Sequence, residues 1–172
     1  MKMERYNILF GGKAGQGPNV ITHLLGEALM KRGYYAFYAR EYQSLIRGGH
    51  NFNVLTFSDE PVYSNDSKVD VMVCLDEETE KLHRKELKKN GIVMKGSSDN
   101  VYYLGRIFKL LCIDFKDLEE ELKNLKNFEI NIQSDKTGYY EENNVLCEIT
   151  LIKKNLSFGS VSQNIAIGAI DS

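Results

Sequence analysis

The sequence predicts a Rossmann-like α/β fold with three layers, α/β/α. Its sheet is expected to be mostly parallel, and a mixed sheet is the alternative. Two short runs carry this prediction, because residues 6–10 (YNILF) and residues 69–76 (VDVMVCLD) are apolar almost throughout. Such runs are typical of strands that helices cover on both faces. Predicted helices alternate with the strands, which favours parallel pairing. We expect both runs to be central strands of the sheet.

The first half of the chain alternates strand and helix. A helix is predicted to begin at Pro18, because a proline at the first helical position lacks only an N–H group that would have no partner there. Apolar residues then recur at helical spacing, and Gly33 is typical of a helix end. Residues 34–40 and 52–58 are predicted to be strands, from their aromatic content and alternation.

From residue 77 onward the chain is predicted to be richer in helix. We predict a charged helix at residues 77–89, a short buried strand at residues 91–95 and mainly helical structure at residues 101–125. Residues 131–144 are polar and turn-rich, so they are expected to form a linker or a surface excursion. Residues 146–155 are predicted to form one more strand.

Composition and charge argue against several classes of protein. The chain has 172 residues, of which 42% are hydrophobic and 27% charged, as in a soluble globular domain. A net charge of −2 gives no signature of nucleic-acid binding, and no apolar run reaches the roughly 18 residues of a membrane span. The three cysteines, Cys74, Cys112 and Cys147, lie far apart in the sequence. This spacing favours reduced thiols in the cytoplasm and argues against a zinc ion or an iron–sulfur cluster held by this chain alone.

A glycine-rich segment, GGKAGQG at residues 11–17, follows the first predicted strand. A P-loop has a lysine and a hydroxyl residue after its last glycine, whereas this chain has Pro18 and Asn19, so ATP hydrolysis is not expected. The spacing also differs from the G-x-G-x-x-G of a dinucleotide site. Backbone N–H groups at a helix N-terminus still favour a phosphate or the close approach of a partner, although a tight crossover without a ligand is the alternative. The candidate binding residues are Gly12, Gly15, Gln16 and Gly17.

A second candidate segment, REYQSLIRGGHN at residues 40–51, lies between the second and third predicted strands. Its candidate ligand- or partner-binding residues are Glu41, Tyr42, Arg47, Gly48 and Gly49. An arginine beside two glycines has an open approach path, and its guanidinium can hold a phosphate or a carboxylate through two hydrogen bonds. We expect Arg47 to be exposed and close to the glycine-rich segment. An internal Arg–Glu pair that fixes the loop is the alternative.

The histidines offer one further candidate. His50 adjoins the glycine pair and is the histidine to consider for ligand contact. His23 is expected to be packed or half-exposed in the first helix, and His83 to be solvated in a charged helix. The sequence has neither a G-x-S-x-G nor an H-E-x-x-H motif. No catalytic residue and no metal ligand is therefore predicted.

Four ordered motifs together resemble the gamma subunit or gamma domain of 2-oxoacid:ferredoxin oxidoreductases, of the pyruvate, 2-oxoglutarate or ketoisovalerate type. They are the glycine-rich segment at residues 11–17, E-Y-x-S-x-x-R-G-G at residues 41–49, the strand at residues 70–75 and the Asn-to-Gly helix start at residues 100–105. The form SLIRGGHN is most similar to a gamma domain fused in front of an alpha chain, and SFGSVSQNIAIGAIDS at the end resembles the opening of an alpha domain. The resemblance thus divides the chain into a gamma-type domain at residues 1–145 and a linker with the start of an alpha domain at residues 146–172.

This resemblance implies an enzyme that oxidatively decarboxylates a 2-oxoacid with coenzyme A (CoA) and passes the electrons to ferredoxin. Thiamine diphosphate and iron–sulfur clusters belong to the assembled enzyme, whose alpha and beta subunits or domains bind the thiamine cofactor. The chain itself is expected to dock on them, to form the CoA side of the site and to be inactive alone. A docking domain should expose an apolar patch, which the end of the chain would join. A free-standing nucleotide- or CoA-binding module is the alternative, and an NAD-dependent oxidoreductase is a third interpretation.

Overall fold

The computed structural model describes residues 5–42, 49–97, 99–123, 128–150 and 152, with backbone alone at residues 40–42 and 128–130. Its strands are β1 (Tyr6–Lys13), β2 (Tyr35–Tyr42), β3 (His50–Ser58), β4 (Val69–Cys74) and β5 (Leu87–Met94). Its α-helices are α1 (Pro18–Lys31), α2 (Glu77–His83), α3 (Asn100–Leu110), α4 (Phe115–Leu122) and α5 (Phe128–Glu141). A 3₁₀ turn, Arg84–Glu86, follows α2.

A five-stranded sheet in the order β2-β3-β1-β4-β5 forms the centre of the described structure. β1 pairs in parallel with β4, and β4 with β5, whereas β3 is antiparallel to both β1 and β2. All the strands except β3 therefore run in one direction. The predicted α/β fold is confirmed, and its sheet is mixed. Both apolar runs lie in interior strands, β1 and β4, as predicted.

Helices cover the two faces of the sheet unequally. The larger core lies on the face of α1 and α3, where Ile8 and Phe10 of β1 are fully buried. Burying side chains of this size contributes roughly 1.5–3 kcal/mol each. A smaller core lies on the opposite face and includes Leu9, because successive strand residues point to opposite faces. α2 covers this second face, since the ring centroid of its His83 lies 4.3 Å from that of Phe52 in β3.

Helix α5 occupies the stretch that was expected to be a polar linker, so the prediction for residues 131–144 is wrong. Two glycines explain the difference. A Cβ at Gly105 of α3 would collide with the backbone of Asp135 in α5, and a Cβ at Gly138 would collide with the backbone of Tyr102 in α3. The two helices therefore pack backbone against backbone. This tertiary contact stabilises a helix that the local sequence alone does not predict.

Two other predicted elements differ from the structure. The helix expected at residues 77–89 is shorter, because Leu87 already belongs to β5 and pairs with Val69 of β4. The strand expected at residues 146–155 is not a strand over described residues 146–150 and 152. Instead, the backbone N–H groups of Leu146 and Ile149 donate to carbonyl oxygens at the end of α3. Those bonds satisfy acceptors that a helix C-terminus leaves without an intrahelical partner.

The described residues expose large apolar side chains from several different elements. They are Val20, Tyr63, Leu82, Tyr140 and Val145. Residues 153–172 lie outside the described ranges. The apolar docking patch and the division of the chain at residue 145 therefore stay predictions.

Candidate functional site

The carboxyl edge of the sheet holds the candidate site. β1 leads through α1 to β2 at one edge, whereas β4 leads through α2 to β5 at the other. The neighbouring carboxyl ends of β1 and β4 therefore form a topological switch point, where open α/β sheets bind their ligands. An open crevice of about 860 Å³ lies here, against α2 and residues 95–97 after β5.

The glycine-rich segment is partly strand and partly loop. Gly11 and Gly12 belong to β1, so the loop itself is residues 14–17. Gly15 and Gly17 have φ angles of 96° and 79°, in the left-handed region that favours glycine. α1 begins directly after this loop with its proline at the first position, as predicted. The glycines thus allow a sharp turn from strand to helix at the switch point.

Gln16 fixes this loop to the sheet. Its Oε1 accepts a hydrogen bond from the backbone N–H of Lys13 at 2.6 Å, and its Nε2 donates to the carbonyl oxygen of Leu75 at 2.9 Å. The side chain thereby joins the ends of β1 and β4. Gly12 leaves room for it, because a Cβ there would lie 2.8 Å from Gln16 Oε1. Both predicted residues position the loop, and a ligand contact from either stays a prediction.

The second candidate segment reaches the same edge. Gly49 accepts a hydrogen bond at its carbonyl oxygen from the backbone N–H of Ala14, with an N···O distance of 3.3 Å, so it lies beside the glycine loop. The backbone of Glu41 and Tyr42 forms the end of β2, paired with β3. The other two predicted residues of this segment, Arg47 and Gly48, lie outside the described residues.

Charged side chains line the crevice. Glu80 accepts hydrogen bonds from Lys95 Nζ at 2.7 Å and from Arg84 Nη1 at 2.9 Å. The hydrogen bond from Lys95, together with the charges of both cations, lowers the pKa of Glu80. Lys81 also lines the crevice. Burial raises the pKa of Cys74 to about 12, so this thiol stays protonated and is not a nucleophile.

A buried histidine pair adjoins the crevice. His50 and His83 are 7% and 3% exposed, and their Nε2 atoms lie 2.9 Å apart. His83 Nδ1 lies 3.1 Å from Glu86 Oε2, and His50 Nδ1 lies 4.0 Å from Asp76 Oδ2. Burial and the neighbouring His83 lower the pKa of His50. The prediction of a solvated His83 is wrong, because α2 turns this side chain onto Phe52 in the smaller core.

Among the described residues, no group of three or more His, Cys, Asp or Glu side chains is placed to hold a metal ion. Cys74 is buried, Cys112 is exposed and Cys147 is half-buried. Because no such group of side chains is present, the described residues do not fit the ligand set of an iron–sulfur cluster. No described helix has the length and apolar character needed to cross a membrane.

An open α/β sheet with a glycine-rich first crossover and a charged crevice at its switch point defines a Rossmann-like α/β domain. The chain belongs to the pyruvate ferredoxin/flavodoxin oxidoreductase family, whose model matches residues 7–134. The family expected from the four sequence motifs is thereby confirmed.

The chain matches part of curated alpha subunits of 2-oxoacid:ferredoxin oxidoreductases. The chain is 39% identical over 84 residues to a 2-oxoacid:ferredoxin oxidoreductase subunit alpha from a Sulfolobus species. It is 34% identical over 84 residues to the corresponding subunit from Saccharolobus solfataricus. Each alignment covers 49% of this chain and 13% of the relative. The chain therefore spans only a small part of the length of these relatives.

Solved structures share the fold. The gamma subunit of a keto/oxoacid ferredoxin oxidoreductase from Geobacter sulfurreducens matches with a TM-score of 0.67 and 21% identity, covering 80% of this chain and 96% of that one. Pyruvate oxidoreductase subunit PORC from Thermotoga maritima matches with a TM-score of 0.59 and 20% identity, covering 80% and 97%. A 2-oxoglutarate:ferredoxin oxidoreductase from Magnetococcus marinus, with 2-oxoglutarate, coenzyme A and succinyl-CoA bound, matches with a TM-score of 0.75 and 14% identity, covering 90% and 34%.

Proposed function

We propose that this chain is the gamma subunit, or gamma-type domain, of a 2-oxoacid:ferredoxin oxidoreductase. The enzyme oxidatively decarboxylates a 2-oxoacid with CoA and transfers the electrons to ferredoxin in the cytoplasm. One observation carries the proposal: the family match spans residues 7–134, and the fold is similar to that of a gamma subunit over 80% of the chain. The chain docks on alpha and beta subunits or domains and is inactive alone.

The proposed division of labour follows from the side chains at the carboxyl edge. Thiamine diphosphate, bound by the alpha and beta parts, supplies the stabilisation of the carbanion. The crevice residues of this chain have another capacity, which is to bind and orient an anionic group. The crevice lining carries three cations, Lys81, Arg84 and Lys95, beside three carboxylates, Asp76, Glu77 and Glu80. Glu80 holds two of the cations in position, and we propose that these cations face the anionic group. The electron-transfer clusters are assigned to the other parts of the enzyme.

CoA is the ligand that we assign to this edge. Its phosphates need cations and backbone N–H groups, and the crevice cations and the glycine loop offer both. The related enzyme from Magnetococcus marinus is described with CoA bound, which supports the choice. Gly49 lies against the glycine loop, so the preceding arginine, Arg47, is the residue that we propose to hold a CoA phosphate or a carboxylate of the adjoining subunit.

Replacement of Arg47 by alanine in the assembled enzyme tests this assignment. Loss of a charge-assisted bond of roughly 1.5–3 kcal/mol should raise the KM for CoA by about 10- to 150-fold or weaken subunit assembly to a similar extent. The free energy of unfolding should change by less than about 0.5 kcal/mol. Steady-state kinetics with varied CoA, size-exclusion chromatography and thermal unfolding give the three readouts.

Lys116→Ala is the matched control, because Lys116 is an exposed cation on α4. Near its own end, α4 contacts the last residue of α1 through the ion pair between Glu121 and Lys31. The end of α1 lies away from the carboxyl edge of the sheet, so this variant should behave as the wild type. A variant Arg47→Ala that keeps the KM for CoA and the assembly unchanged, or that merely unfolds, would favour an internal Arg–Glu pair instead.

A further inference from the structure

Four titratable side chains form a connected series at the carboxyl edge, and the proposed function does not use them. The side chains of His50, His83 and Asp76 are buried, whereas that of Glu86 is about one-third exposed. His50 is the first residue of β3, and His83 is the last residue of α2. The two imidazoles meet through their Nε2 atoms at 2.9 Å, a distance at which one ring donates its N–H and the other accepts. Glu86 lies beyond His83, and Asp76 lies beyond His50.

The positions of the protons follow from the partners. Glu86 can only accept when ionised, so His83 carries its proton on Nδ1, 3.1 Å from the carboxylate. A neutral His83 then accepts at Nε2, and His50 must be the donor between the two rings. His50 Nδ1 is then unprotonated and has a free lone pair. It faces Asp76 Oδ2 at 4.0 Å, and these two buried atoms have no hydrogen-bond partner among the described residues.

The carboxylate of Asp76 is held in place by its other oxygen. Oδ1 accepts from the backbone N–H of Glu78 at 3.1 Å and of Thr79 at 2.9 Å, and from the Thr79 hydroxyl at 2.8 Å. These bonds make Asp76 the N-cap of α2. Two acceptors therefore face each other with room for one proton, on residues that belong to β3 and to the start of α2.

We propose that His50 is a proton-operated latch: uptake of one proton from water at Nδ1 gives an imidazolium that donates to Asp76 Oδ2 and ties β3 to the N-cap of α2. No covalent bond changes, and the proton returns to water when the pH rises. Asp76 lines the crevice and His50 directly follows the glycine pair, so the latch joins the two sides of the candidate site. It depends only on the folded chain and not on CoA.

The neighbouring charges set the pH range in which His50 binds the proton. His83, Asp76 and Glu78 act on His50 from the side of α2, Glu86 acts through His83, and Lys13 stands opposite in β1. Burial and His83 lower the pKa of His50, whereas Asp76 and Glu78 raise it by smaller amounts. His50 is therefore unprotonated near neutral pH, and its bond to Asp76 forms only below the ordinary histidine pKa of 6.5.

Proton NMR titration of the histidine ring resonances in the chain tests the proposal, with Asp76→Asn as the key variant. Asparagine still caps α2 through its oxygen, and its NH₂ group can donate to the neutral Nδ1 of His50. We expect the proton affinity of His50 to fall by about tenfold or more, because the neutral form gains a donor and the imidazolium loses its carboxylate. Glu78→Gln, which removes an exposed carboxylate nearby, should change it far less.

Hydrogen exchange of the Glu78 and Thr79 amides gives a second readout, independent of the titration. In the wild type, these amides should exchange more slowly once His50 is protonated. The rates are corrected for the intrinsic pH dependence of amide exchange. In Asp76→Asn, protonation of His50 should no longer slow the exchange. The same His50 titration in the wild type and in Asp76→Asn would overturn the proposal. So would protonation of His50 that occurs only together with global unfolding, as monitored by circular dichroism.

Discussion

Replacement of Arg106 by glutamine should lower the free energy of unfolding by about 3–5 kcal/mol, because it leaves a buried carboxylate without its cation. Arg106 of α3 donates from Nε at 2.9 Å and from Nη2 at 2.6 Å to Glu142 Oε2, just beyond the end of α5. The Glu142 side chain is 1% exposed. Burial alone would raise the pKa of Glu142, but hydrogen bonds from Asn144 and Arg106 hold it below its ordinary value. Chemical denaturation near neutral pH measures the loss.

A double variant provides the control. Arg106→Gln combined with Glu142→Gln removes both charges, and it should recover a substantial part of the stability lost in the single variant. If Arg106→Gln alone costs less than about 1 kcal/mol, the pair behaves as a solvated surface ion pair and the account of a buried carboxylate is wrong.

Replacement of Asp135 by asparagine should stabilise the chain by about 1–3 kcal/mol at pH 8, after allowance for burying an amide. Asp135 is fully buried in α5, and neither of its carboxyl oxygens has a hydrogen-bond partner among the described residues. Burial, followed by the charge of Asp99, raises the pKa of Asp135 from 3.8 to about 9, and the nearby backbone of Gly105 opposes this shift more weakly. The folded chain therefore keeps a proton that the unfolded chain releases.

The sign of the pH dependence follows directly. Because the folded pKa of Asp135 lies above the unfolded one, its contribution to stability is fully present below pH 3.8 and is lost as the pH rises towards about 9. Asp135→Asn should remove this component from the pH dependence of unfolding. Asp114→Asn, at an exposed position whose side chain makes no cap hydrogen bond, should leave it unchanged. If Asp135→Asn is destabilised and removes a loss of stability at acid pH instead, Asp135 is an ionised, paired carboxylate and the account is wrong.

Local pattern was sufficient to predict the centre of the fold. The apolar runs of β1 and β4, and the proline at the start of α1, are short-range signals that the structure bears out. α5 was missed because its support is a long-range backbone contact at Gly105 and Gly138. The pattern of a polar, turn-rich stretch contains no trace of that contact.

The candidate site could be predicted in part, because its glycine-rich motifs are continuous in the sequence. The burial of His83 could not, since it depends on Phe52 and His50, which are distant in the chain. One signal was available: Thr79 and His83 are four residues apart and share the buried face of α2. That spacing on a short charged helix indicates which side faces the sheet.

Native purification of the protein from its own cells tests the proposed function most directly. We expect the chain to be recovered with alpha and beta subunits or domains, with thiamine diphosphate and iron in the same fraction. That fraction should reduce ferredoxin only when both a 2-oxoacid and CoA are present. Recovery of the chain as a monomer that carries a nucleotide or CoA, without thiamine diphosphate, iron or this activity, would contradict the proposal and identify a free-standing binding module.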